Sequence, residues 1–304
     1  MIGWLVLLAF AAPQEADATR RLIHCIGIRD KACLATALKS SSGHSSPEYL
    51  SAAAEAYLML GRNAEAIGAI ESAVKSKPGS YDLLLQRGRT YRSCGNQIEA
   101  IQSFLLAAQA KPASEVFYDI GLSFFLAHEY ERAGKHFVHA VQLDAKNDKA
   151  EFMLAAIDIL KDNNEAGAKA HLERALAIEP ENSHYLLHYG IVLMERNDHK
   201  GAAVALEKAA QADPANPLVH FNLGRHCRRV GETARARTEL EAAVRLRPAM
   251  ARAHYQLAAV YRELGEAAKA KQATQQFLKF KDRDRDDDPV GSPPSYLFKD
   301  QAAR

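Results

Sequence analysis

Residues 217–250 read PLVHFNLGRHCRRVGETARARTELEAAVRLRPAM, and this 34-residue stretch decides the fold. Counted from Pro217, position 8 is Gly224, position 11 Cys227, position 20 Ala236, position 24 Leu240, position 27 Ala243 and position 32 Pro248. The same residue types return on either side of it. Anchored on position 20, the copies are Ala66, Ala100, Ala133, Ala168, Ala202, Ala236 and Ala270, spaced by 34, 33, 35, 34, 34 and 34 residues. Seven units result, near 47–80, 81–113, 114–148, 149–182, 183–216, 217–250 and 251–281. A fixed period of this length marks a repeat architecture.

Each unit holds two apolar stretches of helical period around a short break such as Gly61-Arg62-Asn63 or Gly95-Asn96. Position 8 is always Ala or Gly, and small residues there and at positions 20 and 27 let two helix backbones approach. Position 24 is Ile70, Phe104, Phe137, Leu172, Leu206, Leu240 and Thr274, bulky in all but the last. Proline at position 32 (Pro78, Pro112, Pro180, Pro214, Pro248) cannot continue a helix and redirects the chain; unit three has Ala145 instead. One hairpin cannot bury both faces, so neighbours must stack.

The pattern resembles the tetratricopeptide repeat (TPR) over about 47–281. That resemblance implies an all-α, right-handed α-solenoid of about seven helical hairpins. The family is defined by packing residues, so it leaves function open. Unit four departs, with one extra residue before the turn Asp162-Asn163-Asn164, where irregular stacking is expected. Position 4 carries His220 and His254 in units six and seven, expected to pack between helices.

The flanks read differently. Met1–Ala12, MIGWLVLLAFAA, spans roughly 18 Å as a helix, too short for a hydrocarbon core of about 30 Å. It suits a signal peptide (1–18) with cleavage before about residue 12 or 19, although the n-region lacks Lys and Arg; the other reading is a short buried helix. Export to the periplasm or outside the cell follows from the first reading, a cytoplasmic location from the second. Thr19–Lys39 reads as a degenerate capping hairpin, closed by the linker Ser40–Ser46 (19–46 together). Cys25 and Cys33 flank its Arg29-Asp30 turn, either as a disulfide or as two small core residues. The last helix is expected to end near Phe280, with 282–304 a disordered charged tail.

Composition narrows the function. Apolar residues make up 48%, charged residues 25%, and the formal net charge is +2, so no global field points to nucleic acid or anionic lipid. Residues 217–281 nevertheless hold 13 Lys and Arg against 5 Asp and Glu. No nucleophile elbow, phosphate loop, zinc motif or paired CxxC occurs, so neither catalysis nor a cofactor is expected. His184/His188 and His136/His139 have helical spacing but too few companions for a metal site. Asp282, Asp284 and Asp286 lack the Gly and Glu of a calcium loop.

In the TPR family, positions 2, 5, 9, 12 and 13 of each first helix line a concave groove. Here they place Tyr118, Leu122, Phe125, Met153, Ile157, Leu160, Leu187, Ile191 and Met194 in units three to five. Units six and seven supply Phe221, Arg225, Arg228, Arg229, Arg252, Tyr255 and Arg262. The first set reads as an exposed apolar strip, unless curvature buries it. The second reads as a basic patch for a carboxylate or phosphate. The expected function is a scaffold for a protein or peptide that is apolar with an acidic end. The weaker alternative is a nucleic-acid or polyanion binder, and no stable membrane anchor is expected. The chaperone carboxylate clamp does not fit: Asn222 alone matches it, with Leu187 and Ile191 where Lys and Asn are required.

Overall fold

A computed structural model describes residues 13–40, 43–161 and 163–287. Among them lie sixteen α-helices and no strand. Helices α1 (Pro13–Ile28) and α2 (Lys31–Ser40) form the cap. The first body continues with hairpins α3 (Pro47–Met59) with α4 (Asn63–Ser76), α5 (Tyr81–Ser93) with α6 (Gln97–Ala110), and α7 (Ser114–Leu126) with α8 (Tyr130–Leu143). The second body holds α9 (Asp148–Leu160) with α10 (Glu165–Ile178), α11 (Ser183–Glu195) with α12 (His199–Ala212), α13 (Pro217–Arg229) with α14 (Thr233–Leu246), and α15 (Ala251–Glu263) with α16 (Ala267–Asp287). The chain is thus a solenoid of helical hairpins, packed in sequence order within each body.

Local chemistry sets the hairpin boundaries. Ser46, Ser80, Asn147, Asn182 and Asn216 cap first helices by accepting a backbone N–H two or three residues on. Position 15 of every unit sits in the left-handed region, with φ between 47° and 84°: Gly61, Gly95, His128, Asn163, Asn197, Gly231 and Gly265. Glycine and asparagine tolerate it best. In six units the N–H of position 16 then donates to the carbonyl of position 11 at 2.8–2.9 Å, closing the first helix as a Schellman turn. Unit four differs, as its extra residue foretells. There α9 starts and ends one residue early, and Asn164 donates to the Asp158 carbonyl instead, at 2.8 Å.

The core forms where second-helix side chains land on small first-helix residues. A Cβ added to Gly224 or Gly190 would lie 2.7 Å from Leu240 or Leu206. Ala66, Ala100, Ala133, Ala168, Ala202 and Ala236 at position 20 are fully buried. His220 and His254 pack as expected, each ring Nε2 bonded to the carbonyl of the preceding position-32 proline, Pro214 at 3.0 Å and Pro248 at 2.9 Å.

The cap is longer than Thr19–Lys39. Helix α1 begins at Pro13, because Ala16 and Ala18 are buried and Leu22 and Cys25 pack with Leu34, Leu38 and Tyr49. Glu15 accepts from the Ser45 N–H at 3.1 Å. A boundary after residue 18 would cut through this helix. Met1–Ala12 lies outside the described residues. Cys25 and Cys33 are bonded across the turn, Cα–Cα 5.5 Å. At the other end α16 runs to Asp287 rather than Phe280, since no Gly or Pro interrupts the sequence before Pro289. The tail from 288 to 304 lies outside the described residues.

Two outcomes are expected. Ala202→Leu destabilises the chain by about 1–3 kcal/mol in urea unfolding, whereas Val204→Leu, at an exposed site on the same helix, changes stability by no more than about 0.5 kcal/mol. Replacing Cys25 and Cys33 by Ser removes about 2–3 kcal/mol from the cap alone, raising amide exchange in α1 and α2 while α11–α14 stay protected.

Candidate functional site

Helix α13 carries Arg225, Arg228 and Arg229 at positions 9, 12 and 13, an i, i+3, i+4 set on one face. The flanking first helices α11 and α15 bring Met194, Gln256 and Glu263 to the same place. Together these six residues line a pocket of about 340 Å³ within the second body.

Each guanidinium is engaged. Arg228 donates through Nε to Glu263 and through Nη1 to Gln256, both at 2.9 Å. Arg229 donates to the Met194 carbonyl at 3.1 Å and to Asn197 at 2.9 Å. Arg225 donates to Asn222 at 3.2 Å, and Glu195 stands 3.8 Å from both Arg225 and Arg229. The guanidinium groups of Arg225 and Arg252 both lie over the Phe221 ring, 5.7 and 5.3 Å from its centroid. Arg262 is exposed and bonds back to the Ala258 carbonyl of its own helix, so it takes no part in the pocket. The patch is therefore mixed: arginines threaded by Glu195 and Glu263. These ion pairs are partly exposed, a class worth about 0–1 kcal/mol, so an incoming carboxylate can compete for them.

The apolar strip is core, not open surface. Phe125 and Met153 are 0% exposed, Leu187 and Met194 1%. Tyr118, Leu122, Ile157 and Phe221 are buried as well, and Ile191 is half-buried. In the second body, Leu187, Met194 and Phe221 join one cluster with Leu218, Leu257 and Val260, because adjacent first helices touch. Only Leu160 and Tyr255 of the expected apolar residues remain exposed.

Gln256, at position 6, is a pocket residue that the groove positions omit. Position 6 precedes position 9 by one turn, and its polar residues Gln86, Asp119, His188, Asn222 and Gln256 are the available signal. In the first body the equivalent place is closed. Asp119, 2% exposed, accepts from Arg89 at 2.8 Å and Arg92 at 2.6 Å, and Arg89 also pairs with Glu115. Such a pair anchors packing and offers little to a ligand.

The paired histidines are packing residues. His184 and His188, with ring centroids 4.7 Å apart, sit against Phe152. His136 stacks on Phe117 and Phe124, and His139 meets Phe117 edge-on. Burial and the neighbouring His184 hold the His188 pKa well below the usual imidazole range. Burial also lowers His136 and His226. His220 is raised by its bond to Glu239. A lowered histidine takes up its proton mainly on unfolding, so its contribution is full above about pH 6.5 and is lost as pH falls below that value. His220 acts in the opposite sense, its contribution fading as pH rises through its raised pKa. Glu55, raised by burial, acts in the same sense as His220. With three lowered histidines, one of them fully buried, the melting temperature is expected to fall between pH 7.5 and 5.5, and His188→Leu to make that fall shallower in parallel thermal melts. Leu154 already occupies the same position one unit earlier.

Comparisons with known proteins agree with the fold. A family model described as the Cilia and flagella-associated protein 70 C-terminal domain matches residues 14–247, and a tetratricopeptide-repeat model matches 221–286. No curated protein matches. Among solved structures, the APC/C hetero-tetramer Cut9–Hcn1 aligns at 14% identity with a TM-score of 0.63, over 79% of this chain and 48% of that one. The chain thus spans about half the length of that relative. A tetratricopeptide repeat protein from Parabacteroides merdae aligns at 14% identity and TM-score 0.57, over 82% and 99% of the two chains. YrrB, described as a TPR protein with an unusual peptide-binding site, aligns at 17% identity and TM-score 0.51, over 62% and 97%. At these identities the likeness concerns the fold.

Proposed function

The chain belongs to the tetratricopeptide-repeat family, and on that basis we propose that it is a non-enzymatic scaffold holding a peptide or protein segment against the first helices of its second body. The pocket between Arg225, Arg228, Arg229, Gln256 and Glu263 carries this reading. It offers several guanidinium donors on half-exposed or exposed side chains, a donor set suited to a carboxylate. An acidic group of the partner replaces Glu263 as acceptor for Arg228, while Tyr255 and the half-buried Ile191 give it apolar contact. The extended apolar strip is no longer available, so the partner's apolar portion is short. YrrB, of the same fold, binds peptide according to its description, which is consistent with such a use.

A polyanion ligand is disfavoured, because Glu195 and Glu263 interrupt the arginines and would repel successive phosphates. We further propose that the protein acts outside the cytoplasm. The apolar start supports this, as does the Cys25–Cys33 bond, which persists in oxidising compartments. Cleavage before about residue 12 would leave α1 whole.

The test is to pan a displayed random-peptide library against the full chain. The enriched peptides are expected to share an Asp, Glu or terminal carboxylate beside an apolar residue. The Arg228→Glu/Arg229→Glu variant is expected to bind them at least about tenfold more weakly, mainly through slower association, with reduced salt dependence. Equal binding by the variant in surface plasmon resonance would show that the pocket is not the site.

A further inference from the structure

The cap carries a second concavity, different in chemistry from the arginine pocket. It is a groove of about 600 Å³ between α1 and α2, and it lies wholly within the first body. Small-molecule sites occupy about 300–1,000 Å³. Cys25 and Ala37, both buried, and the half-buried Cys33 lie deepest in it, so the disulfide forms much of its floor. On the α2 side stand Ala32 and Thr36, exposed and one turn apart. The hydroxyls of that wall turn back to their own helix: Thr36 donates to the Ala32 carbonyl at 2.9 Å and Ser40 to the Ala37 carbonyl at 3.0 Å. The α2 wall thus offers a ligand apolar surface and no free donor.

The α1 side is the opposite. It presents Arg20, Arg21 and His24, all exposed. Arg21 pairs with Asp17 of its own helix. Arg20 and His24, at i and i+4, have no hydrogen-bond or ion-pair partner among the described residues. No Asp or Glu lines the groove. In the second body, by contrast, Arg225, Arg228 and Arg229 each have an acceptor already. An apolar trough with cationic donors on one rim alone suits a molecule with an alkyl body and one anionic head. A polyanion needs donors along its whole length. A peptide laid here would press its backbone N–H and C=O groups against a wall with nothing to bond them.

We propose that the cap groove binds an alkyl carboxylate free in solution. Its chain lies over the Cys25–Cys33 bond, Ala37 and Ala32, and its carboxylate accepts from Arg20 and His24. The disulfide then has two roles: it ties α2 to α1, and it supplies the apolar floor on which the chain rests. The site goes beyond the scaffold reading, since it belongs to the other body and shares no residue with the arginine pocket.

The test is an NMR titration of the full, oxidised chain with laurate below its micelle concentration. Saturable amide shifts are expected in α1 and α2, with α11–α14 unmoved. The Arg20→Glu/His24→Glu variant, altered only at exposed side chains, should keep its melting temperature and bind at least about tenfold more weakly. Ala32→Glu, also exposed, should weaken binding similarly by setting a like charge in the groove. Decanoate should bind several-fold more weakly than laurate, because two fewer methylenes are buried. Dodecyltrimethylammonium, with the same chain and a cationic head, should produce no saturable shifts in α1 and α2. Absence of saturable laurate shifts overturns the proposal, as does equal binding by the Arg20/His24 variant or by the cationic amphiphile. So does a chain that ignores laurate yet cosediments with phosphatidylglycerol vesicles, because the basic rim would then serve a membrane surface.

Discussion

A bulky second-helix side chain seated on a first-helix glycine or alanine is the contact on which the rest of the structure depends. Leu240 on Gly224 and Leu206 on Gly190 leave no room for a Cβ. This contact sets the helix separation within a hairpin and fixes which face of each first helix turns away from its second helix. Position 8 faces inward, so positions 9, 12 and 13 are carried to the other side, and α13 presents three arginines there together. The site is a by-product of packing geometry, and its chemistry is then free to vary from unit to unit.

That freedom explains why the two bodies differ. At the place where the second body keeps an accessible pocket, the first closes Arg89 and Arg92 around a buried Asp119. A buried carboxylate between two guanidinium groups is costly to break, whereas the exposed pairs of Arg228 with Glu263 and of Arg229 with Glu195 are held loosely. On the reading proposed above, what separates the structural arginines from those offered to a partner is burial of the acceptor, not the number of arginines.

Much of this is legible in the sequence. The period, the hairpin boundaries, the small residues at positions 8, 20 and 27 and the irregular fourth turn all depend on local chemistry, which a single chain displays directly. Burial of Phe125, Met153, Leu187 and Met194 is not legible in the same way. Those residues are unnecessary inside their own hairpin, and only the distance between successive first helices decides whether they meet solvent. The pairing of Arg228 with Glu263 likewise joins residues 35 apart, one in each of two neighbouring first helices. The start of α1 escaped because Ala16 and Ala18 suit a cleavage site and a helix core equally well. The extension of α16 escaped because alternating Asp and Arg read as a solvated run.

The central claim, that the arginine face of the second body receives a partner's acidic group, is tested most directly by arginine side-chain NMR. Nε–Hε signals of Arg225, Arg228 and Arg229 in the full chain would be followed while an acidic peptide selected by the chain is titrated. The result expected is saturable shifts at Arg228 and at Arg225 or Arg229, with Arg89 and Arg92 unmoved. Saturable binding that leaves all three signals in place, or shifts only arginines of the second helices such as Arg235 and Arg237, would contradict it.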